Sequence, residues 1–193
     1  MPEEAKKCIT EDKQVEEAKA TLERINSWIN NCDTKTGAIL ALLGVILTLV
    51  LTNEGLSTCR EIASKAMASR TFSDILYLII WFVSFACLIL GLFKLISALF
   101  ATTSSEKFKQ GKLETDSRIF FGSIGTTPTY QEYRDKFTGM TISDYINDLL
   151  SQVYINSLIA SKKFKNYNQG LKYAIIGFCW FIVMLIIGNF VYL

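Results

Sequence analysis

The stretch NSWINNCDTKTGAILALLGVILTLVLT, residues 26–52, decides how the rest of the chain is read. In it Asn26, Asn30, Asp33, Gly37, Ala41, Gly44, Thr48 and Thr52 follow one another at intervals of three or four residues. A helix turns about 100° per residue, so all eight fall on one face. That face is polar at its start, small in its middle and hydroxyl-bearing at its end. Such a surface on an apolar helix either packs closely against another helix or borders water. The stretch predicts a polar helix that passes without a break into a membrane-spanning one.

Half of the 193 residues are apolar and only two are proline. That composition is too apolar for an ordinary soluble domain of this size. Three segments are long or apolar enough to consider as spans: 37–52, 75–100 with Lys94 as its one charge, and 174–193 with none. About 20 residues at about 1.5 Å each cross a ~30 Å hydrocarbon core, so the first needs the helix below it to reach across. Lys94 lies close enough to the end of its span to snorkel to the headgroups. The first 35 residues hold eight acids, six bases and no apolar run, so the N-terminus is expected to stay in the compartment of synthesis. Lys107, Lys109, Lys112, Lys162, Lys163, Lys165 and Lys172 flank the second and third spans, against Arg60, Lys65 and Arg70 between the first two. By the positive-inside rule the lysine-rich side is cytosolic and the C-terminus lies on the far side of the membrane.

The organisation that follows is a cytosolic N-terminal helix over residues 1–36, a continuous first span over 37–52, and an outer loop over 53–74 with room for a short surface helix. A second span over 75–100, a cytosolic regulatory lobe over 101–173 and a third span over 174–193 complete it. The fold class is an all-α membrane protein with long cytosolic helical extensions. Val15, Ala18, Leu22, Ile25 and Ile29 form a heptad stripe that Cys32, Thr36 and Ile39 continue. Its partner is either a second copy or another helix of the same chain.

Within the lobe, RIFFGSIG at 118–125 mixes aromatic and β-branched residues with glycine, which suggests a short extended segment or tight turn. Its glycines could also turn backbone N–H groups toward an anion. Thr127 and Pro128 look like the N-cap and first residue of a helix reaching Phe137, closed by Gly139. Thr141 and Asp144 have capping-box spacing for a following helix over about 143–168, with Ile146, Leu150, Val153, Ser157, Ala160, Phe164 and Tyr167 near one face. That helix is expected to feed the third span, with Gly170 as a place to bend.

Catalysis and metal chemistry find little support. The chain has no histidine, and its cysteines at 8, 32, 59, 87 and 179 form no close pair. The chain is therefore read as a non-enzyme without a cofactor. Among the lobe's cations, Arg118 and Arg134 stand apart from the spans and are the best candidates for phosphate contacts, followed by Lys162 and Lys163. Gly122 and Ser123 are candidate anion contacts, and Tyr130, Tyr133 and Tyr154 candidate stacking surfaces for a base.

The run INSWINNCDTKT at 25–36, FGSI at 121–124, the 130–137 segment and QVYINSLIASKKF at 152–164 resemble, in order, segments of the Pycsar-type effector family. The likeness covers residues 20–190. It implies a small bacterial anti-phage membrane effector that disrupts the inner membrane under control of a nucleotide signal from a cyclase or nucleotidyltransferase-like enzyme. The lobe is too small for a full cyclic-nucleotide-binding domain, which leaves a longer oligonucleotide open as the ligand.

Three spans cannot enclose a water path alone, so a channel reading requires a cyclic homo-oligomer, most simply a homotetramer. Asn26, Asn30, Asp33, Lys35, Gly37, Ala41, Gly44 and Thr48 are then the pore and gating candidates. Against pore lining stands the reading that Gly37, Ala41 and Gly44 only allow close helix packing; against the channel stands a non-conducting membrane scaffold or adaptor that recruits a cytosolic partner through the lobe.

Overall fold

The computed structural model describes residues 9–69, 71–100 and 113–193. Cys8, Arg70, Lys107, Lys109 and Lys112 lie outside the described residues. The described chain is helical: α1 (Glu11–Val50), α2 (Asn53–Ser69), α3 (Phe72–Leu99), α4 (Phe121–Thr126), α5 (Tyr130–Thr138) and α6 (Ile142–Tyr192). Residues 9–30 and 113–161 make one compact unit, here the polar unit. Asn31–Phe100 and Lys162–Leu193 make a second, the apolar unit. Both long helices contribute to both units, as the uninterrupted periodicity around residues 26–52 and 143–193 predicts.

In the apolar unit α3 buries Asp74, Tyr77, Trp81, Ser84, Leu88, Gly91, Leu95 and Ala98, an unbroken alternation of three and four residues. The facing stripe of α6 is Gly170, Ala174, Gly177, Phe181, Met184 and Gly188. A Cβ at Gly91 would run into the Ala174 backbone, one at Gly177 into Leu88 N and Ser84 O, and one at Gly170 into Leu95. The pairs descend α3 as they ascend α6, so the helices are antiparallel and touch backbone to backbone. Close approach of this kind is what drives helix association in lipid, where apolar burial gives no bias.

Two clusters flank that seam. Leu43 of α1, with Ile39, Leu40 and Leu47, packs on Leu88, Leu95 and Ala174. Ile62 and Ala66 of α2 pack on Tyr77, Trp81, Phe181 and Met184. The 53–74 connection, expected as an outer loop with room for a short surface helix, is mostly helix α2, and its buried edge of Ile62 and Ala66 is too narrow to announce itself among serines and charges. Asp74 binds α2, α3 and α6 together, accepting from the Ser69, Thr71 and Tyr192 hydroxyls. Thr71 and Asp74 also form the capping box that starts α3. By length and apolarity α3 and α6 can each cross a membrane. The expected first span passes that test only as α1 and α2 together, bent by 72°.

In the polar unit Ala18 and Ile25 are buried on α1, and Leu149, Ile155 and Ala160 on α6. Asn156 Nδ2 donates to Asn26 Oδ1 at 3.1 Å, and Lys19 Nζ lies 5.4 Å from the Tyr145 ring centre. The heptad stripe of α1 thus finds its partner inside its own chain; in the apolar unit Cys32 and Thr36 of the same register are also buried. The buried face of α6 differs from expectation, since Leu150 and Ser157 are exposed and Leu149, Gln152 and Ile155 face inward.

Two further expectations are corrected. Residues 121–126 form helix α4, not an extended segment, and Thr127 closes it. Thr129, not Thr127, caps α5 by accepting from Glu132 N at 3.2 Å. The box at α6 is as expected: Thr141 N donates to Asp144 Oδ2 at 3.1 Å and Asp144 N to Thr141 Oγ1 at 3.2 Å.

The glycine contacts separate two kinds of position. Gly177→Leu forces side-chain atoms into α3 and should lower stability by at least about 1–3 kcal/mol, the range for overpacking. A Cβ added at Gly44 meets no described atom within 4 Å, so Gly44→Leu should leave stability unchanged. Thermal unfolding in detergent, followed by helical circular dichroism, checks both; equal midpoints for the two variants would contradict the seam.

Candidate functional site

Apart from Lys35, the pore candidates sit on a stripe of α1 about 120° around the helix from its packed stripe. Asn26, Asn30, Lys35, Ala41, Gly44 and Thr48 are exposed, and Asp33 and Gly37 are partly so. A Cβ added at Gly37 or Gly44 meets nothing within 4 Å. Thr48 Oγ1 donates back to Gly44 O at 2.9 Å, so its hydroxyl is satisfied within α1. Neither glycine therefore seats another helix among the described residues.

Asp33 and Lys163 do not behave as read from the sequence. Lys163 Nζ donates to Asp33 Oδ1 at 2.6 Å and to Ala98 O at 2.9 Å. Its side chain is 8% exposed against 34% for Asp33. Lys163 is thus a clasp between α1, the end of α3 and α6 rather than a contact for an incoming phosphate. Asp33, already neutralised by it, offers no free charge to a pore mouth, and Lys35 is the exposed charge at that level.

The ligand candidates of the polar unit divide. Residues 113–120 are strapped along α6: Glu114 N donates to Ser151 Oγ at 3.0 Å and Arg118 N to Asp148 Oδ2 at 2.8 Å. Asp148 is fully buried, and its Oδ1 has no partner among the described residues. Tyr133 OH donates to Arg118 O at 3.4 Å, and Ser123 Oγ to Thr115 O at 3.4 Å. Gly122 lies under the Phe120 ring, so its missing Cβ makes room for that ring rather than for an anion. Arg134, Tyr130, Tyr154 and Lys162 are exposed.

Beside the strap is a cleft of about 350 Å³ lined by Ile119, Phe137, Met140, Thr141, Ile142 and Tyr145. Its size suits a small ligand, and its walls are mostly apolar with one hydroxyl. Arg118, next to Ile119, holds its guanidinium 3.9 Å from Asp144. Lys19 covers one wall residue, Tyr145. Of the sequence candidates only Arg118 and Tyr133 lie in this neighbourhood. Lys19 and Tyr145 were missed because they are far apart in the chain, and neither stands in a motif.

The Thr141 N–H, then the Thr141 hydroxyl, hold Asp144 below the usual carboxylate range, and Arg118 adds a smaller push. Lys136 is raised by Asp116, which it meets at 3.2 Å, and less by Glu132. A depressed carboxylate contributes stability above its unfolded pKa and loses it as pH falls through the folded value. Acid should therefore fray the start of α6, an effect that Asp144→Asn removes; amide exchange at residues 142–146 across an acid series is the measurement.

For the clasp, removing one partner of a fully buried pair costs about 3–5 kcal/mol, and the partial exposure of Asp33 shifts the expectation to the lower end. Lys163→Met should destabilise accordingly, with much of the loss recovered in Lys163→Met combined with Asp33→Leu. Unfolding midpoints of the three proteins test this, and an undisturbed single variant would show the clasp to be idle.

Comparison with known proteins bears on what such a molecule does. Residues 17–188 match the Pycsar effector protein domain. The chain is 32% identical to the Pycsar effector protein GmPycTM of Gulbenkiania mobilis over 95% of its own length and 96% of that protein. No solved structure matches the chain. A family match over most of the sequence, an end-to-end relative and two helices fit to cross a membrane lead to one conclusion: the chain belongs to the Pycsar effector family of anti-phage membrane proteins.

Proposed function

We propose that the protein is an oligomeric ion channel or pore of the bacterial inner membrane, gated by a nucleotide or oligonucleotide that a partner cyclase or nucleotidyltransferase-like enzyme makes. The observation that carries this reading is the open face of α1, where Ala41, Gly44 and Thr48 are exposed and a Cβ added at Gly37 or Gly44 meets no described atom within 4 Å. With at most three crossings among the described residues the chain does not surround water by itself, so the face is assigned to a lumen or to a seam between copies. A homotetramer with cytosolic N-termini and outer C-termini is the simplest arrangement, with Lys35 ringing the mouth.

The nucleotide is assigned to the cleft beside the strap. Arg118 and Lys19 supply positive charge, and the Tyr145 and Phe137 rings supply apolar surface for a base. A ligand shifts a conformational equilibrium only if it prefers one state. Here that preference would act on α1 and α6, which reach from the polar unit into the membrane-spanning helices without a break. The nucleotide is a regulatory ligand, and no catalytic role is assigned to any residue.

A scaffold reading competes. Tyr130 at 77% exposure and Trp28 at 56% are large aromatic groups left uncovered on the polar unit, which suits a protein partner.

Purified protein in liposomes separates the two. Nucleotide-dependent ion or dye release, abolished by Gly44→Leu and shifted at least about tenfold in nucleotide concentration by Arg118→Ala, is expected for the gated pore. No flux with any cyclic mononucleotide or short oligonucleotide, together with a stably copurifying soluble protein, would replace the pore with the scaffold.

A further inference from the structure

Helix α1 packs along α3 and α6 from Ile39 to Leu47, and α2 then leaves it at an elbow of 72°. Gly55 closes that elbow, lying so near Val50 O that a Cβ there would collide. Val50 sits beside Ile182 and Leu185 of α6. Those residues stand ten and seven positions before Tyr192, whose hydroxyl donates to Asp74. α1 therefore stops about 10–15 Å short of the level of Asp74. Above Asp74 on α3 and beyond Tyr192 on α6 the apolar surfaces end, so that level marks the membrane boundary. The 17 residues of α2 make a helix about 25 Å long, which at a 72° lean climbs only about 8 Å. Its far end is fixed at the boundary, where the Ser69 hydroxyl reaches Asp74. α2 thus lies across the α3 and α6 pair, within about one helix diameter of the boundary.

Around this helix the sequence repeats one triplet. Glu54-Gly55-Leu56, Glu61-Ile62-Ala63 and Lys65-Ala66-Met67 each read charged, inward, apolar. Ile62 and Ala66 form the edge buried against the bundle. At about 100° per residue the charged members fall on one side of that edge and the apolar members on the other. A helix lying flat against a bundle turns one such flank toward the middle of the membrane and the other toward water. Leu56 and Met67 are 48% and 57% exposed, so the described chain leaves the apolar flank open. Ser57 and Ser64 donate back to Glu54 O and Arg60 O, and Lys65 pairs with Glu61 at 2.9 Å, which closes polar groups within the helix.

The occupant of the open flank follows from its place. α3 and α6 present Ile75, Ile79, Ile186 and Phe190 uncovered on the same side of the membrane, a surface suited to hydrocarbon. The change from charge to apolar carbon across one helix matches the polarity change at a lipid interface, where an amphipathic helix sinks its apolar side about 5–10 Å. We propose that α2 is an in-plane helix seated in the lipid leaflet that the start of α3 occupies. Leu56, Ala63 and Met67 lie among the acyl chains, and Glu54, Glu61 and Lys65 meet headgroups and water. Lipid packing in that leaflet then bears on the elbow that ends α1. The assignment needs only that α3 and α6 cross a membrane, and it stands or falls separately from the channel reading, whose assay is flux.

The test is fluorescence quenching of the full chain in phosphatidylcholine vesicles, some of whose lipid carries bromine on the acyl chains. The added signal of Met67→Trp, above that of the three native tryptophans, should be quenched by brominated lipid at least about twofold more than that of Lys65→Trp. Acrylamide in the water should reverse the order. Leu56→Trp should follow Met67→Trp, and Glu61→Trp should follow Lys65→Trp. Equal quenching on the two flanks overturns the proposal, as does a Met67→Trp signal that neither quencher reaches, which marks a seam with a second copy. If a variant loses its helicity, the unsubstituted chain decides. Phosphatidylcholine bearing a photoreactive diazirine on its acyl chain should label Leu56, Ala63 or Met67, mapped by peptide mass spectrometry, and a map without label on any of the three overturns the proposal.

Discussion

The backbone contact between α3 and α6 is the constraint on which the rest of the structure depends. In lipid the usual driving force for burying leucine is absent, so two helices stay together only where their surfaces fit closely enough to gain dispersion over a long stretch. Gly91 and Gly177 provide that approach, and polar ties close the two ends of the pair. At one end Asp74 gathers the Ser69, Thr71 and Tyr192 hydroxyls; at the other Lys163 caps Ala98 O and reaches Asp33. Everything else in the apolar unit is added to this pair. α1 joins through one stripe around Leu43, and Ala41, Gly44 and Thr48 on its other face are exposed.

The polar unit solves a different problem. A unit this small buries little apolar surface, and its interior includes Ser117, Asp148, Ser151 and Gln152 beside a handful of aliphatic residues. Side-chain to backbone hydrogen bonds therefore do much of the positioning. The strap at 113–120 is placed by Ser151 and Asp148, and α5 is started by Thr129. The candidate ligand cleft lies against elements held this way, so a small molecule competes there with single hydrogen bonds rather than with a packed core.

What could be read from the sequence was local and periodic. The unbroken α1, its heptad stripe, the Thr141 and Asp144 box and the continuous α6 each follow from spacing within a few turns. What could not be read depended on distant partners or on weak local contrast. A lysine at the base of a span looks like an interfacial anchor, and only the fold brings Lys163 to Asp33, 130 residues away. α2 hides because Ile62 and Ala66 are its two fully buried residues among serines and charges. The 118–125 segment reads as extended because its β-branched and aromatic residues carry that propensity, whereas strapping to Asp148 and the Phe120 ring over Gly122 hold α4.

The two faces of α1 also differ in period. The packed stripe repeats every seven residues, from Ala18 through Ile25 and Cys32 to Ile39. The open stripe repeats every eleven, from Asn26 through Gly37 to Thr48 and from Asp33 to Gly44. A straight helix drifts about 20° per heptad in one sense and about 20° per eleven residues in the other. The first repeat winds left-handed and the second right-handed. A neighbour that followed the open stripe would therefore coil against the hand of the helix's own bundle, and α1 could satisfy both along its full length only by twisting between them.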